Sequence, residues 1–429
     1  MGDCVGGVRV SDESCSWVAR GVQRKVDSVY GVPMDERDRQ KGKETSDLLT
    51  WCEVSEAAMR SNVQNLRRLL SPGARLGVVV KSDGYGHGAI NSARIMIDSG
   101  VDWLIVNALE EAEELRAAGI EHPLYVCGHV PSDAASRLAE LDVDVVVYDA
   151  EMLDALNQAA ISRGTVLSVH IKVETGTHRQ GVTPSEALQL GRHVQSLPGV
   201  RLGGLSTHYA DIEDTTDHEF AFGQLRCFNA VVEAFEQEGM VVPLAHSANS
   251  AATILYPTTH LDMVRVGISA YGLWPSAETW ATALQIHARD PSGFVPELEP
   301  CLSWRARLAA VKEVPAGVFV GYGRTYRSTH TMKLAVIPVG YYEGYDRRLS
   351  NLGHVLIGGV RAPVRGRVCM NMFMVDVTHI PGAKVGSVAT LLGRDGSERI
   401  TAEQLASWVG GINYETVSRI HSKIPRILA

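Results

Sequence analysis

The sequence predicts an α/β fold, in which a closed (β/α)8 TIM-like barrel is followed by a mostly β C-terminal domain. Two observations carry this prediction. Between residues 48 and 287, eight short β-branched runs alternate with segments of helical periodicity. Beyond Trp274 the alternation stops, and strand-like runs follow one another with turn residues between them. Parallel strands need helical crossovers, and closure into a barrel removes the sheet edges, so an open doubly wound sheet is the second choice.

The predicted barrel strands are short runs rich in valine, leucine and isoleucine. They are Arg75–Lys81, Trp103–Asn107, Leu124–Cys127, Asp144–Tyr148, Val166–Val173, Leu202–His208, Leu244–His246 and Met263–Ser269. The helices predicted between them include Leu109–Ala118, Ala150–Arg163 and Asp217–Gln237. A further helix is expected to begin at Thr183, because Pro184 suits the first helical position and Glu186 can complete a capping box.

The second domain is predicted from a run of strands with one helix. After a Pro- and acid-bearing connection, the expected strands are Leu302–Val314, Thr331–Val339, Val355–Ile357 and Cys369–Val377, and the helix is Ala402–Val409, capped by Thr401. Before the barrel, residues 1–47 have no sustained apolar period and are predicted to form a flexible tail. The predicted boundaries are therefore 1–47 for the tail, 48–287 for the barrel and 288–429 for the β domain.

The composition of the chain disfavours several classes of protein. The 429 residues carry a formal net charge of −8, which disfavours the dense basic face that nucleic acids require. No apolar run approaches the ~18 residues that a membrane helix needs. The seven cysteines are scattered without a CxxC pair, so neither a disulfide framework nor a metal site is predicted. Because the first residues also lack a secretion signal, we expect a cytoplasmic protein with no nucleic-acid or membrane partner.

Polar residues that could carry chemistry collect at the ends of the predicted barrel strands, where barrel active sites are built. They are Lys81 after the first strand, Lys172 to Arg179 after the fifth, His208 after the sixth, His246 to Ser250 after the seventh, and Arg265 in the eighth. Singly, each could be a surface lysine, a satisfied core histidine or an ordinary arginine. Together they predict a mouth for an anionic cofactor with a reactive carbonyl, whose phosphate could rest on the Gly267 and Ile268 amides and the Ser250 hydroxyl.

These residues also resemble a known family. The run Val80-Lys81-Ser82-Asp83-Gly84-Tyr85-Gly86-His87-Gly88 resembles the pyridoxal-phosphate lysine motif of the alanine racemases. The resemblance covers about Leu49 to Leu428 and continues through Lys172–Gly181, Ser206–His208, His246–Ser250, Met263–Tyr271, Gly321–Tyr326, Arg367–Asp376 and Asn413–Glu415. The lysine motif alone occurs in other barrel-type pyridoxal enzymes, whereas its combination with the β-domain segments is much more specific.

The resemblance implies a role for each matching position. Lys81 would hold pyridoxal 5'-phosphate covalently and act as one acid/base, and Tyr322 from a second subunit would act as the other, which implies a homodimer with shared active sites. Further cofactor-binding residues would be Tyr85, His208, Asn249, Ser250, Arg265, Gly267, Ile268 and Tyr414. Arg179, Met370 and Tyr341 would bind the substrate. Lys172, which some members carry in carbamylated form, would support the site together with Cys369 and Asn371.

The implied reaction is the interconversion of L- and D-alanine, which supplies D-alanine as a peptidoglycan precursor. Racemisation requires proton transfer at both faces of the α-carbon, and two bases meet that need. The sequence departs from the family at Gly84, Glu174 and Asn371, and Asn371 removes a charge near the expected substrate carboxylate. A serine racemase or one of broader specificity therefore stays open. A barrel-type amino-acid decarboxylase and a non-catalytic pyridoxal-phosphate carrier are the less favoured alternatives.

Overall fold

The fold is described from a computed structural model, which covers residues 45–291 and 293–429. The predicted N-terminal tail lies outside the described residues except at its end, where Thr45–Asp47 forms one helical turn. Across the described residues, no helix combines the length and the apolar character needed to span a bilayer.

Eight parallel strands form the predicted barrel. They are Arg75–Val79, Trp103–Val106, Leu124–Val126, Asp144–Val147, Leu167–Lys172, Val200–Ser206, Ala245–His246 and Met263–Val266. From the first to the seventh, each strand pairs with the next in the chain, and the first also pairs with the eighth. Backbone hydrogen bonds from Asp262 to Ala245 and from Arg265 to Ala248 join the seventh strand to the eighth, at 3.0 and 2.9 Å. The closed-barrel prediction is therefore confirmed.

Helices cover the outside of the barrel, and several begin at a capping side chain. They are Glu56–Leu69, Ala89–Asp98, Leu109–Ala117, Ala135–Leu141, Ala150–Arg163, Pro184–Ser196, Glu219–Gln237, Ser250–Leu255 and Ala277–Arg289. The predicted capping box is present, since Thr183 accepts the amide of Glu186 and the Glu186 carboxylate accepts the amide of Thr183. The helices bury leucine, valine and alanine against the strands, so the main core lies between the two layers.

The C-terminal half is mostly β, as predicted. Its strands are Leu302–Arg307, Ala310–Val314, Phe319–Val320, Tyr326–Arg327, Met332–Ile337, His354–Ile357, Val360–Pro363, Phe373–Asp376, Val388–Asp395, Glu398–Ile400 and Arg426–Leu428, and its helices are Ala402–Val409 and Asn413–Ser418. One strand of its largest sheet comes from the other end of the chain, because Thr50–Val54 pairs with Leu302–Arg307 and Arg426–Leu428. The domain boundaries drawn from sequence remain a prediction, and they do not account for this strand.

Two predicted strands differ from the structure. The run Leu302–Val314 was expected to be one strand, but it divides at Leu308–Ala309 into two strands that belong to different sheets. The run Cys369–Val377 is extended only over Phe373–Asp376, because a turn closed by the Cys369 amide on the Met372 carbonyl at 2.9 Å precedes it. Periodicity could not reveal either break, since each is set by hydrogen bonds to distant or turn residues.

Candidate active site

Lys81 lies at the barrel mouth, directly after the first barrel strand, at the start of an unusual left-handed turn. Ser82, Asp83, Gly84 and Tyr85 all have φ between 53 and 59°, a region that costs a non-glycine residue about 1–2 kcal/mol. The turn is held by the Ser82 amide, which donates to Glu111 Oε1 at 2.6 Å, and by the Ala89 amide, which donates to Asp83 Oδ1 at 3.0 Å. Such strain concentrates at functional sites. Within the described residues, Lys81 Nζ has no hydrogen-bond or ion-pair partner.

Arg265 is the best-anchored cation of the mouth. Its side chain is buried and donates to His246 Nδ1 at 2.8 Å and to the carbonyls of Thr207 and Ser247 at 2.8 and 3.0 Å. His208 Nδ1 lies 3.4 Å from Arg265 Nη2. These four bonds fix the guanidinium inside the barrel, at a height where it can face a ligand that enters the mouth.

Several cations act on this pocket together. Burial lowers the pKa of His208 well below its usual value, and the charges of Lys172, Arg265, Arg179 and Lys81 add to the shift. Burial, followed by the charge of Arg265 and then of Arg179, lowers the pKa of the Lys172 amine well below its ordinary value. The predicted accumulation of cations at one rim is thus present in the structure, and it favours an anionic ligand.

Four of the predicted cofactor-binding residues form one corner of the pocket. Gly267 donates its amide to Ser250 Oγ at 3.0 Å, and Ile268 is fully buried beside it. A Cβ at Gly267 would lie 2.5 Å from the Tyr85 hydroxyl, so only glycine fits there. The Tyr85 ring stacks on Tyr271 with centroids 5.2 Å apart. The corner therefore brings together the hydroxyl groups of Tyr85 and Ser250, which are suitable donors for a phosphate.

Asn249 and Tyr414 meet beside this corner through a residue that the sequence analysis missed. Asn249 Nδ2 donates to Glu213 Oε1 at 2.6 Å, and the Tyr414 hydroxyl donates to Glu213 Oε2 at 3.0 Å. Burial raises the pKa of Glu213. The residue follows the sixth barrel strand within a polar, acidic run, and no local pattern distinguished it from its neighbours.

Tyr322, Tyr341, Cys369, Met370 and Asn371, the remaining predicted site residues outside the barrel, lie on the β domain. Tyr322 is 73% exposed and Met370 is 54% exposed. The amide of Tyr341 donates to the carbonyl of Cys369 at 3.1 Å, and Asn371 Nδ2 donates to Glu343 Oε1 at 2.7 Å. No hydrogen bond or ion pair between residues of the described ranges joins this group to the Lys81 pocket.

Arg179 also reaches no anchoring partner through its side chain in the part of the chain that the structure describes. Its loop is held instead by Glu174, whose carboxylate accepts the amide of Thr177 at 2.6 Å and that of Arg179 at 3.4 Å.

The asparagine at position 371, which departs from the family pattern, has a local explanation. The Asn371 amide donates to Glu343 Oε1, and an ionised aspartate could not make this bond.

A barrel that gathers a free amine, two arginines and hydroxyl donors at the carboxyl ends of its strands belongs to the class of barrel enzymes that bind an anionic ligand there. The family model for the alanine racemase N-terminal domain matches residues 54–275, and the model for its C-terminal domain matches residues 301–428. The chain belongs to the alanine racemase family, whose members are isomerases.

Known relatives agree with this assignment. The chain is 40% identical to the alanine racemase of Desulfovibrio desulfuricans over 381 residues, which is 89% of this chain and 98% of that protein. It is 37% identical to an alanine racemase of Leptospira interrogans over 88% of this chain and 95% of the relative. The crystal structure of alanine racemase from Streptomyces lavendulae superposes with a TM-score of 0.81 and 36% identity, covering 89% of this chain and 97% of that one.

Proposed function

We propose that this protein is a pyridoxal 5'-phosphate-dependent racemase that interconverts L- and D-alanine, working as a homodimer with shared active sites. The observation that carries the proposal is the Lys81 amine, which has no partner among the described residues and lies at a mouth lined by Arg265, Lys172 and Arg179. An unpaired amine next to anion-binding groups suits covalent attachment of an anionic aldehyde.

The residues of the pocket fit this cofactor. The Tyr85 hydroxyl, the Ser250 hydroxyl and the Gly267 amide form one corner, in which the absence of a side chain at position 267 lets the Tyr85 hydroxyl approach the backbone. Ile268 and Tyr414 complete the set proposed for the phosphate, Asn249 is proposed as a further cofactor-binding residue, and Arg265 and His208 would face the ring. When bound, the cofactor supplies an electron sink that makes the α-proton of an amino acid removable.

The chain's own residues then move the proton. We propose that the Lys81 amine exchanges a proton with the substrate α-carbon at one face, and that the hydroxyl of Tyr322 of the partner subunit does so at the other. Two acid/base groups on opposite faces of the α-carbon allow both enantiomers to form. Arg265 donates and cannot accept a proton, so it would leave the cofactor ring nitrogen unprotonated and limit side reactions such as transamination.

Arg179 is proposed to bind the substrate carboxylate, together with the backbone of Met370. Lys172 would support Arg179, with Cys369 and Asn371 shaping the Met370 turn. The lowered pKa of Lys172 favours a neutral amine, which is the form that can be carbamylated. Carbamylation would convert this buried neutral amine into an anion that can pair with a neighbouring arginine.

The dimer is proposed from the exposure of the second group of residues. Tyr322, Tyr341, Tyr342, Met370 and Met372 are each 43–73% exposed. Large apolar side chains grouped on one surface indicate an interaction site. A second copy of the chain placed there would bring Tyr322 to the Lys81 pocket of its neighbour. We further propose a cytoplasmic enzyme that supplies D-alanine for peptidoglycan.

The small substrate is proposed because Tyr341 and Tyr414 would crowd the space beside the α-carbon. An apolar pocket rejects an added hydroxyl weakly, by about 1–3 kcal/mol, so serine is the substrate to compare with alanine. A decarboxylase would release carbon dioxide, and a pyridoxal carrier would not exchange the α-proton, so both alternatives make different predictions from the racemase.

The deciding experiment follows solvent deuterium into L-alanine, L-serine and L-lysine with the purified holoprotein. We expect rapid exchange and racemisation of alanine, slower exchange of serine and none of lysine. Borohydride should fix the cofactor permanently on Lys81, and Lys81→Ala should abolish the labelling, whereas the exposed-lysine control Lys312→Ala should keep it. Carbon dioxide release, or labelling that survives Lys81→Ala, would refute the proposal.

A further inference from the structure

A hydrogen-bonded chain of four side chains crosses the interior of the barrel beneath Arg265. Arg265 Nη1 lies 2.8 Å from His246 Nδ1, His246 Nε2 lies 2.8 Å from His170 Nδ1, and His170 Nε2 lies 2.9 Å from Asp144 Oδ2. Both histidines are fully buried. Asp144 is the first residue of its strand, so the chain runs from the mouth towards the opposite end of the barrel.

The chemistry of the two ends fixes the direction of every bond in this chain. An arginine only donates, so His246 Nδ1 must accept and its proton must be on Nε2. His246 donates that proton to His170 Nδ1, which must therefore accept. The proton of His170 is then also on Nε2, and it is donated to the Asp144 carboxylate, which only accepts. With both histidines neutral, all three bonds are satisfied by this one arrangement.

The environment of His246 supports the neutral form. Burial lowers the pKa of His246 well below its usual value, and the charge of Arg265 acts in the same direction. The ring of Tyr125 packs against both histidines, with centroids 4.7 Å from His170 and 5.5 Å from His246. This packing holds the two imidazole rings in the orientation that the hydrogen bonds require.

The neighbouring strand is shaped to leave space for the chain of bonds. A Cβ at Gly203 would lie 3.0 Å from His170 Nε2 and 3.1 Å from Asp144 Oδ2, and a Cβ at Gly204 would lie 2.7 Å from His170 Nδ1. The pairing register between the two strands also shifts at this point, so that Val169 pairs with Leu202 and His170 with Gly204. Bulges of this kind re-aim side chains and occur next to active sites.

We propose that Asp144 and His170 are positioning residues that act through His246 on Arg265. They fix the tautomers of both histidines, so that His246 can only accept from Arg265 and the guanidinium keeps one orientation towards the cofactor ring. This proposal rests on the proposed function, because it assigns the orientation of Arg265 to the binding of pyridoxal phosphate. It extends the set of residues that shape the site to Asp144, at the far end of the barrel.

The first test measures the histidine tautomers in the wild-type protein. Nitrogen-15 NMR of the histidine-labelled holoprotein should show both His170 and His246 as neutral rings with the proton on Nε2, with signals assigned from His170→Gln and His246→Gln. A proton on Nδ1 of His246 would overturn the proposal, because Arg265 could then not donate to it. The result does not depend on whether the protein racemises alanine.

The second test compares two aspartates at the same end of the barrel. Asp144→Ala removes the last acceptor of the chain, whereas Asp262→Ala removes only an acceptor of the Ala245 amide. We expect Asp144→Ala to give mixed His170 tautomers, to shift the visible absorption band of the holoprotein and to lower kcat about tenfold with KM changed less than twofold, which is typical of lost outer partners. Asp262→Ala should leave the tautomers and the band unchanged.

The variant Asp144→Asn keeps an acceptor and the side-chain shape, so it should fold and keep most of the activity even if Asp144→Ala does not fold. An unchanged band and unchanged tautomers in Asp144→Ala, or equal shifts in Asp262→Ala, would refute the positioning role. Failure of the proposed function would look different, because the wild-type protein itself would then lack a visible band on Lys81 and would not exchange the α-proton.

Discussion

His87 illustrates how burial sets a charge state next to the candidate active-site lysine. Its ring is 1% exposed, Nδ1 lies 3.1 Å from the Gly84 carbonyl and 3.0 Å from that of Tyr85, and Nε2 has no partner within the described residues. Burial lowers the pKa of His87 to about 4, and the Arg426 charge contributes in the same direction. The residue therefore holds the left-handed turn as a neutral donor.

The lowered pKa of His87 predicts a loss of stability in acid. The unfolded chain takes up a proton near pH 6.5, whereas the folded chain does so only near pH 4, so stability falls as the pH decreases through this window. Between pH 7.5 and pH 5.0 we expect His87 to account for a loss of about 2 kcal/mol in the free energy of unfolding.

Urea unfolding at the two pH values checks this prediction. His87→Asn keeps a donor for the two carbonyls but cannot take up a proton, so its stability should depend less on pH than that of the wild-type protein. His330→Asn, at an exposed histidine, serves as the control and should keep the wild-type dependence. An identical pH dependence in His87→Asn and wild type would contradict the assignment.

At the scale of elements, the turn that carries Lys81 depends on glycine for a reason the sequence left open. By sequence alone, the glycines after Lys81 suit either the close approach of a ligand or a plain tight turn. Gly86 has φ of +81°, and a Cβ there would lie 2.1 Å from the carbonyl oxygen of Val417. The glycine thus permits contact with the C-terminal helix Asn413–Ser418, which also carries Tyr414.

We expect Gly86→Ala to destabilise the protein by more than about 2 kcal/mol and to weaken retention of the cofactor, because it combines backbone strain with a clash against a fixed carbonyl. Gly119→Ala provides the control. Gly119 has φ of +75° but no atom within 4 Å of the added Cβ, so only the backbone strain of about 1 kcal/mol applies. Thermal unfolding and cofactor absorbance measure both effects, and equal losses in the two variants would exclude the contact as the cause.

At the scale of the whole molecule, the two groups of candidate residues make the dimer testable. If Lys81 and Tyr322 of one site come from different subunits, a mixed dimer of Lys81→Ala and Tyr322→Phe chains contains one site with both native residues. Random mixing of two inactive variants should then restore about a quarter of the wild-type activity per site, since half of the dimers are mixed and half of their sites are intact.

The complementation is measured after the two variants have been unfolded and refolded together, with each variant refolded alone as the control. The mixture of Lys81→Ala with a Lys81→Ala/Tyr322→Phe double variant should stay inactive, because no intact site can form in it. Activity in neither mixture would indicate that each site is built within one chain.

The sequence by itself determined the class of fold, the number and order of the barrel strands, and the positions of Lys81, Arg265 and Ser250 at strand ends. These features depend on local sequence, because the periodicity of strands and helices is set by neighbouring residues. The active sites of barrels form at the carboxyl ends of the strands, so the strand positions also indicate where the site lies. The motifs also led to the family through resemblance.

Only the tertiary structure decided which distant side chains meet. Thr50–Val54 joins the C-terminal sheet, Glu213 links Asn249 to Tyr414, and Asp144 ends a chain of bonds that begins at Arg265. Each of these contacts joins residues far apart in the chain, and its partner is selected by packing and by the need to satisfy buried polar groups. The pattern of residues along a single sequence does not indicate which distant residues will pair.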